Sequence, residues 1–314
     1  MTIKLGVVMD PIQAIHYQKD STLALLWEAA ARGWTLYYFE QQDLFVRDGK
    51  AFGHSRLLNV LHDPQHWFEL SDYQRIELSA LDVILLRKDP PFNLEYIYTT
   101  YILELAEQAG ATVINKPQSL RDANEKFYTA WFPEQCPPTL ITRNIKLLRD
   151  FFQEQKDIIC KPLDGMGGTS VFRLQESDVN ASVVFETLTQ QGKSFMMVQR
   201  YIPEIIAGDK RILLINGNPV PYALARIPAT GELRGNLAAG AKGVAQLLTP
   251  QDVKLCQAIG PALREKGLLF VGLDVIGNYL TEINVTSPTC IRELDEQCHL
   301  NISKIVLNEI LSLL

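Results

Sequence analysis

The stretch Gly272-Leu-Asp-Val-Ile-Gly-Asn-Tyr-Leu-Thr-Glu-Ile-Asn284 contains two short apolar runs on either side of a turn centred on glycine and asparagine. Runs of this length and composition predict two antiparallel strands, Leu269–Ile276 and Leu280–Val285. The apolar residues indicate that this strand pair is buried. Polar side chains interrupt both runs, so we expect them to form a polar group on one face of the pair.

The register of this hairpin decides whether its acidic residues meet. Glu282 and Asn284 are two residues apart and share one face of their strand. A three-residue turn would place Asp274 directly opposite Glu282, whereas a two-residue turn would pair Asp274 with Thr281 and send Glu282 to the other face. In the first register, Asp274, Glu282 and Asn284 converge and suit Mg²⁺, which combines few carboxylates with phosphate oxygens and water.

A glycine-rich loop, Asp164-Gly-Met-Gly-Gly168, follows the predicted strand Asp157–Pro162. Gly165, Gly167 and Gly168 leave the backbone free to direct N–H groups at phosphate oxygens. The nearest lysine, Lys161, precedes the glycines, so the loop is not a P-loop, and no Gly-x-Gly-x-x-Gly follows the first strand. A plain tight hairpin remains the alternative interpretation.

A set of basic residues stands beside glycines or within apolar strands rather than in solvated runs: Lys126, Lys161, Lys210, Arg211, Arg226, Arg234 and Arg292. Cations placed in this way usually have anionic partners, although some could be surface residues with buried stems. The glycine loop, the carboxylates and these cations together predict a nucleotide triphosphate site that is not of the P-loop type.

Composition excludes several classes of protein. The 314 residues contain 30 Lys and Arg against 36 Asp and Glu, without a basic run that could track a nucleic acid. The five cysteines are odd in number and form no Cys-x-x-Cys pair, which argues against a disulfide scaffold or a zinc site. Apolar runs are too short for a signal segment or a membrane span. We expect a cytoplasmic protein without nucleic-acid or membrane partners.

The order of predicted elements divides the chain into three parts. Residues 1–122 begin with a β-α-β pattern, which predicts an α/β lobe with a parallel sheet. The helix of this pattern is expected over 21–32, with Ser21 as its cap. Residues 41–79 are not assigned. An amphipathic helix is expected from Asn124 to Trp131. Residues 123–201, with the glycine loop, and 202–314, with the carboxylates, have the antiparallel pattern of α+β lobes. Residues 227–243 are rich in glycine, and we predict that they form a mobile lid.

The sequence resembles a known family at these positions. Lys126, the segment Lys161–Gly168 and the segment Gly272–Arg292 are similar to the ATP-grasp ligases and, within them, to the bacterial glutathione synthetases. Four shorter segments extend the resemblance over nearly the whole chain: Val8–Pro11, Leu86–Phe92, Ile114–Arg121 and Arg234–Gly240. The resemblance implies an ATP-grasp fold, in which an N-terminal parallel α/β lobe is joined to two further lobes that enclose ATP.

The resemblance also implies an activity. It is the ATP-dependent ligation of γ-L-glutamyl-L-cysteine with glycine through an acyl phosphate, giving glutathione, ADP and phosphate. The family suggests two Mg²⁺ ions, with Mn²⁺ as an alternative, and a homotetramer. Another ATP-grasp carboxylate–amine ligase, or a non-catalytic ATP-binding protein of the same fold, remains open as an alternative.

Site roles follow from the resemblance residue by residue. Those implied for ATP are Lys126, Lys161, Gly165, Gly167, Gly168, Gln199, Ile202, Asp209 and Lys210. Those implied for the metal are Asp274, Glu282 and Asn284. Arg211 is expected to stabilise the oxyanion, and Arg234 to meet the phosphates when the lid closes. The residues expected to bind the dipeptide and glycine are Arg226, Ser287, Thr289 and Arg292.

Overall fold

An eight-stranded mixed sheet forms the N-terminal part of the protein. The computed structural model describes residues 2–229, 231, 235, 237 and 240–314. The strands of this sheet are β1 (Lys4–Met9), β2 (Thr35–Phe39), β3 (Leu44–Arg47), β4 (Lys50–Val60), β5 (Phe68–Leu70), β6 (Gln74–Glu77), β7 (Val83–Arg87) and β8 (Thr112–Ile114). Four of them run parallel in the order β2-β1-β7-β8, which confirms the predicted parallel sheet.

Residues 41–79, which the sequence analysis leaves unassigned, extend this sheet with antiparallel strands. The long strand β4 pairs with β2 and also with β3, β5 and β6. Asp48 and Gly49 both have positive φ and connect β3 to β4, as expected for a tight hairpin turn with an Asp-Gly sequence.

Helices α1 (Ser21–Ala31), α2 (Leu94–Gln108) and α3 (Pro117–Asp122) belong to the same lobe. The cap of α1 is Asp20, whose Oδ1 accepts from the Leu23 amide at 2.6 Å; the prediction of Ser21 as the cap is wrong. The Ser21 hydroxyl instead accepts from the Ile291 amide at 3.2 Å. This contact ties the start of α1 to the C-terminal part of the chain.

The predicted amphipathic helix over 124–131 is also wrong. Only Phe127–Trp131 is helical, as a short 3₁₀ segment. The carbonyl of Glu125 accepts from the Ile283 amide at 2.8 Å, so this part of the backbone follows a neighbouring strand rather than a helix.

The central lobe is a four-stranded antiparallel sheet in the order β11-β10-β12-β9. Its elements are β9 (Thr139–Thr142), α4 (Ile145–Gln155), β10 (Asp157–Pro162), β11 (Phe172–Gln175), α5 (Ala181–Leu188) and β12 (Met196–Arg200). Leu148 of α4 and Phe185 of α5 pack on Ile158, Cys160 and Val198 to form a separate small core.

The C-terminal lobe is a five-stranded antiparallel sheet in the order β15-β14-β13-β16-β17. Its elements are β13 (Asp209–Ile215), β14 (Asn218–Ile227), β15 (Lys242–Leu247), α6 (Pro250–Glu265), β16 (Phe270–Ile276), β17 (Tyr279–Asn284), α7 (Ile291–Cys298) and α8 (Ile302–Leu311).

The N-terminal and C-terminal lobes share their hydrophobic core. One cluster joins Leu5 and Val7 of β1 to Leu213 of β13, and a second joins Leu86 of β7 to Leu273 of β16. All five cysteines are free thiols. In the described ranges, no helix combines the length and apolar character needed to cross a membrane.

Candidate functional site

A cleft of about 480 Å³ lies between the central and C-terminal sheets. The predicted site residues that line it are Lys126, Lys161, Gly165, Gly167, Gly168, Gln199, Ile202, Asp209, Asp274 and Glu282. Residues that are up to 156 positions apart in the sequence therefore meet at one place.

Strand alternation brings the central-lobe residues to the cleft. Ile158 and Cys160 of β10 enter the small core, so Ile159 and Lys161 point the opposite way and line the cleft. Gln199 of β12 pairs with Ile159 across the sheet and is 3% exposed. Its amide nitrogen donates to Thr139 Oγ1 at 3.0 Å, which fixes the side chain against the sheet.

The glycine-rich loop is the connection between the antiparallel strands β10 and β11. Nine residues separate the two strands, so the tight-hairpin interpretation is wrong. The loop lines the cleft, and its binding of phosphates stays a prediction. Gly167 and Gly168 have φ of 64° and 76°, a conformation that strains residues with a Cβ. Lys126 Nζ donates to the carbonyl of Gly165 and ties the loop to the start of the central lobe.

A bulge sets the register of the hairpin formed by β16 and β17. The turn between Ile276 and Tyr279 contains two residues, yet Asp274 pairs with Glu282 because the register shifts after Asp274. Thr281 is the extra residue: its hydroxyl donates to the Asp274 carbonyl at 3.1 Å. The predicted facing of Asp274 and Glu282 is confirmed, but a bulge produces it rather than a three-residue turn.

Glu282 faces two lysines from the opposite side of the cleft. Its Oε1 lies 3.9 Å from Lys126 Nζ and 3.7 Å from Lys161 Nζ. Lys161 Nζ also donates to the carbonyl of Thr281 at 3.2 Å. Burial lowers the pKa of Lys161, and the positive charge of Lys126 lowers it further, while Glu282 opposes both effects. The pair of buried cations is therefore suited to hold polyanionic phosphates.

Asp274 is enclosed by two arginines. Arg211 contacts it with Nε at 2.5 Å and Nη2 at 3.1 Å, and Arg226 Nη2 lies 3.0 Å from Asp274 Oδ2. Burial alone would raise the pKa of Asp274, but the two guanidinium groups hold it well below its ordinary value. Asp274 is therefore a fixed anion.

Asp209 has a different environment. Its Oδ2 accepts from Arg226 Nη2 at 2.6 Å, but its buried Oδ1 has no hydrogen-bond partner in the described part of the chain. Burial raises the pKa of Asp209, and the negative charge of Asp274 adds to this effect. A buried carboxylate oxygen with free acceptor capacity in the cleft can accept a hydrogen bond from a ligand hydroxyl.

The carboxylate and amide oxygens fit a divalent cation. Glu282 has 25% of its side chain exposed. The Asn284 amide nitrogen donates to the Gly272 carbonyl at 3.2 Å, and no hydrogen bond among the described residues uses its amide oxygen. Clusters of three or more His, Cys, Asp and Glu side chains suited to a metal are absent from the described ranges. Asp274, Glu282 and Asn284 stay the predicted ligand set because all three supply oxygen donors of the kind that Mg²⁺ prefers, although Asp274 contacts Arg211 and Arg226 through both of its oxygens.

Seven predicted site residues in the described part of the chain are not among those that line the cleft: Lys210, Arg211, Arg226, Asn284, Ser287, Thr289 and Arg292. Two of them have partners elsewhere. Lys210 alternates with Asp209 and Arg211 on β13, points to the opposite face and pairs with the buried Asp252 at the start of α6. The Arg292 guanidinium lies 4.7 Å from the Trp27 ring centroid and donates to the Tyr17 carbonyl at 2.8 Å. The geometry supports neither a Lys210 side chain on ATP nor an Arg292 side chain on substrate.

The predicted substrate residues Ser287 and Thr289 lie in the segment between β17 and α7. Both residues flank Pro288, whose carbonyl accepts from Arg87 Nη2 at 2.8 Å, and Thr289 Oγ1 lies 3.7 Å from Cys290 Sγ. Arg234, expected to act from the lid, lies outside the described residues, as does much of the segment 227–243.

Glu125 is an important residue that the sequence analysis missed. Its Oε1 accepts from the Val285 amide at 2.9 Å and from the amide and hydroxyl of Thr286 at 3.0 and 2.8 Å. It thereby fixes the end of β17 beside Lys126. Its position directly before Lys126 is the only sequence signal for it, because its partners are about 160 residues away.

The site lies between two adjoining antiparallel sheets and combines a glycine-rich hairpin with a cluster of lysines and carboxylates. This arrangement defines an ATP-grasp protein. Residues 3–121 match the family model of the prokaryotic glutathione synthetase N-terminal domain, and residues 125–299 match that of the prokaryotic glutathione synthetase ATP-grasp domain. The chain therefore belongs to the prokaryotic glutathione synthetase family and is an ATP-dependent peptide ligase.

Individual relatives agree with this assignment. The glutathione synthetase of Pseudomonas aeruginosa is 60% identical over 296 residues, which cover 94% of this chain and 93% of that protein. The glutathione synthetase of Shewanella oneidensis is 57% identical over 308 residues, or 98% of each chain.

Solved structures share the fold at low sequence identity. The D-cycloserine synthetase DcsG has a TM-score of 0.67 at 16% identity, covering 98% of this chain and 99% of that one. D-alanyl-alanine synthetase A from Vibrio cholerae has a TM-score of 0.61 at 14% identity, with 99% of each chain covered. These likenesses show the fold alone and confirm the predicted ATP-grasp architecture.

Proposed function

We propose that this protein joins γ-L-glutamyl-L-cysteine to glycine with ATP and forms glutathione, ADP and phosphate. Membership of the glutathione synthetase family over nearly the whole chain supports the substrates. The observation that carries the chemistry is the register of the β16–β17 hairpin, which places Asp274 opposite Glu282 between two arginines and two lysines.

In this proposal, ATP lies between the two antiparallel sheets. Lys126 and Lys161 neutralise its phosphates, and the N–H groups of the loop at Gly165, Gly167 and Gly168 cover them. The adenine lies by the backbone from Gln199 to Ile202, and the free Oδ1 of Asp209 accepts a ribose hydroxyl.

Asp274, Glu282 and Asn284 would hold the divalent cation, for which we propose two Mg²⁺ ions with Mn²⁺ as an alternative. A bound cation supplies charge neutralisation for the phosphate oxygens during transfer. Arg211 fixes the orientation of Asp274, so this candidate ligand needs little reorganisation when phosphates and metal arrive.

The reacting carboxylate belongs to the cysteinyl residue of the dipeptide. A carboxylate is a poor electrophile for an amine, so transfer of the γ-phosphate to one of its oxygens first creates a better leaving group. Glycine then attacks the acyl carbon, and phosphate leaves from the tetrahedral intermediate. Arg211 and Arg226 flank Asp274, and we assign to them stabilisation of the developing oxyanion and binding of the substrate carboxylates. The contacts of Ser287 and Thr289 with the dipeptide, and that of Arg234 with the phosphates, stay predictions from the family resemblance.

A single assay tests the proposal. Phosphate release should require ATP, Mg²⁺, γ-glutamylcysteine and glycine together, and glutathione should form in equal amount. Replacing the dipeptide with D-alanine or glutamate tests whether the chain is another carboxylate–amine ligase. Binding of ATP without turnover in every mixture would contradict the proposal and favour a non-catalytic protein.

The cytoplasmic location and the homotetramer implied by the family stay proposals as well. Sedimentation of the purified protein at micromolar concentration would test the tetramer.

A further inference from the structure

The strand that carries Glu282 and Asn284 lies at the edge of its sheet. Among the described residues, β17 is the last strand of the C-terminal sheet and pairs with β16 alone. The N–H groups that point away from β16 therefore need acceptors from outside the sheet. Two of them belong to Ile283 and Val285, which are 0% and 1% exposed, so leaving either N–H unpaired would be costly.

Glu125 supplies an acceptor for each of these groups. Its main-chain carbonyl accepts from the Ile283 amide at 2.8 Å, and its Oε1 accepts from the Val285 amide at 2.9 Å. The same oxygen accepts from the amide and the hydroxyl of Thr286 at 3.0 and 2.8 Å. A single residue thus takes the place that a neighbouring strand would occupy along the outer edge of β17.

The carbonyl of Val285 is held by a different residue. Asn115 Nδ2 donates to this carbonyl at 2.7 Å and to the Phe270 carbonyl at 2.8 Å, and Asn115 Oδ1 accepts from the Phe270 amide at 2.9 Å. Asn115 therefore fixes the open end of the β16–β17 hairpin to the N-terminal lobe. The amides along the edge are left to Glu125.

Glu125 is also the chain neighbour of Lys126. Lys126 Nζ lies 3.9 Å from Glu282 Oε1 and donates to the carbonyl of Gly165. Neighbouring Cα atoms are about 3.8 Å apart, so the bonds from Glu125 to β17 limit where the Lys126 backbone can lie. The same residue therefore fixes the strand that carries Glu282 and the lysine that faces it.

We propose that Glu125 is a positioning residue that holds Lys126 opposite Glu282 and Asn284 before any ligand binds. The inference rests on the proposed function, in which Lys126 neutralises phosphates and the other two residues hold the divalent cation. Glu125 acts through the reach of its acceptor oxygens and not through its charge. Its loss should therefore displace the groups of the site without removing any of them.

Two substitutions of Glu125 separate reach from charge. Glu125→Gln keeps the length and one acceptor oxygen but loses the charge. Glu125→Asp keeps the charge but is shorter by one methylene group, so its oxygens cannot reach the Val285 and Thr286 amides from the same backbone position. With γ-glutamylcysteine and glycine, kcat for phosphate release should fall about 10- to 100-fold in Glu125→Asp, as expected when reacting groups are displaced by about 1 Å.

The order of the two variants decides between the roles. In Glu125→Gln, kcat should fall by less than about fivefold, because a neutral acceptor still pairs with the amides. If Glu125→Gln is as impaired as Glu125→Asp, or more so, the charge matters more than the reach and the inference is overturned.

ATP binding provides a measurement that needs no turnover. The quantity is the Mg²⁺ gain, defined as the ATP Kd in EDTA divided by the ATP Kd in Mg²⁺, both from calorimetry. Displacement of Glu282 and Asn284 should lower this gain about 10-fold in Glu125→Asp and by less than about threefold in Glu125→Gln. An unchanged gain in Glu125→Asp would contradict the proposed role.

A double-mutant cycle tests whether Glu125 acts through Glu282. In the Glu282→Gln background, Glu125→Asp should change the Mg²⁺ gain by less than about twofold, because the displaced strand no longer presents a carboxylate. Effects of the two substitutions that simply multiply would show that the residues act independently and would overturn the inference.

Two controls address general loss of stability. Asp122→Asn changes an exposed residue three positions before Glu125. Ile310→Val removes a buried methyl group from α8, which contributes no residue to the described lining of the cleft. Both should leave kcat and the Mg²⁺ gain within about twofold of the wild type. Losses in Ile310→Val that equal those in Glu125→Asp would mean that reduced stability explains the effect.

The proposed function and the role of Glu125 can fail separately. Wild-type protein that binds ATP but releases no phosphate with γ-glutamylcysteine and glycine refutes the proposed function, while the Mg²⁺ gain still tests Glu125. If Glu125→Asp does not fold, Thr286→Val replaces it, since this variant removes only the hydroxyl bond to Glu125 Oε1. Thr286→Val should lower the Mg²⁺ gain about 2- to 10-fold, and an unchanged gain would overturn the inference.

Discussion

Arg211 and Asp274 form a two-point ion pair across β13 and β16, directly opposite each other in the ladder. Both side chains are buried. Arg211 is the candidate to stabilise the oxyanion, and Asp274 is a candidate metal ligand. Because the two are paired, the position of one side chain fixes the position of the other. Planar guanidinium and carboxylate groups match each other in a way that a lysine ammonium cannot reproduce.

Arg211→Lys should therefore impair catalysis more than folding. The positive charge beside Asp274 remains, but the two-point contact is lost. We expect kcat to fall by about 10²- to 10³-fold, the range seen when an oxyanion donor is removed, with the KM for ATP little changed. Arg149→Lys on the exposed face of α4 is the matched control. Undiminished kcat in Arg211→Lys would remove Arg211 from the reaction centre.

Glu282→Gln tests the metal site. The substitution removes a negative charge opposite Asp274 and leaves Lys126 and Lys161 without their shared partner. Turnover should fall steeply and recover only in part when Mg²⁺ is added, because an amide competes poorly with water for this ion. The measurement is phosphate release as a function of Mg²⁺ concentration, with the exposed Glu154→Gln as control. An unchanged Mg²⁺ dependence would exclude Glu282 as a ligand.

The meeting of the carboxylates at the hairpin could be predicted from the sequence, but its geometry could not. Apolar runs around a Gly-Asn turn predict two buried strands, and period-two alternation groups Glu282 with Asn284. The register depends on Thr281, whose bulge is stabilised by contacts with Asp274 and with Lys161, a residue of another lobe. A contact between residues about 120 positions apart leaves no local pattern.

The direction in which Lys210 points could have been predicted from the sequence, whereas that of Arg292 could not. Lys210 lies between Asp209 and Arg211 on β13, so strand alternation turns it to the other face, where it pairs with Asp252 of the α6 capping box. Arg292 is held by an aromatic cluster that includes Trp27. Family resemblance implied a ligand contact for each residue, whereas the partners that they have, Asp252 and the Tyr17 carbonyl, are brought near only by the fold.

A close backbone contact predicts the effect of a glycine substitution in α6. Gly260 lies within this helix, where alanine is normally favoured by about 1 kcal/mol. A Cβ there would overlap the carbonyl of Gly217 in the β13–β14 turn. Gly260→Ala should thus lower the free energy of unfolding by about 1–3 kcal/mol, the usual cost of overpacking. Urea denaturation measures it, and Gln257→Ala on the exposed face of α6 should change stability by less than about 0.5 kcal/mol. A Gly260→Ala variant as stable as the wild type would show that the turn can move aside.

Asp295 predicts a dependence of stability on pH. Burial raises the pKa of Asp295 from its ordinary 3.8 to about 6, and its Oδ1 accepts from the Ile302 amide at 2.9 Å. The unfolded chain loses this proton first, so the contribution of Asp295 to stability falls as pH rises from about 4 to 6. Asp295→Asn keeps the acceptor without the charge.

The Asp295→Asn variant should be more stable than the wild type by about 1 kcal/mol at about pH 8, a value reduced for partial exposure of the carboxylate. The difference should vanish near pH 4, where both side chains are neutral. Urea denaturation at several pH values measures it, with the exposed Glu296→Gln as the control. A difference that stays constant with pH would mean that Asp295 is not the titrating group.

Isotope transfer tests the order of events at the reacting carboxylate. Because a carboxylate is a poor electrophile for an amine, we expect the γ-phosphate to form a bond to a cysteinyl carboxylate oxygen before glycine attacks. With ¹⁸O in that carboxylate, one labelled oxygen should appear in each phosphate released, as measured by mass spectrometry. Dipeptide labelled instead in the γ-glutamyl α-carboxylate should give unlabelled phosphate and serves as the matched control. Unlabelled phosphate from the first substrate would mean that glycine is joined without an acyl phosphate, and Arg211 would need another role.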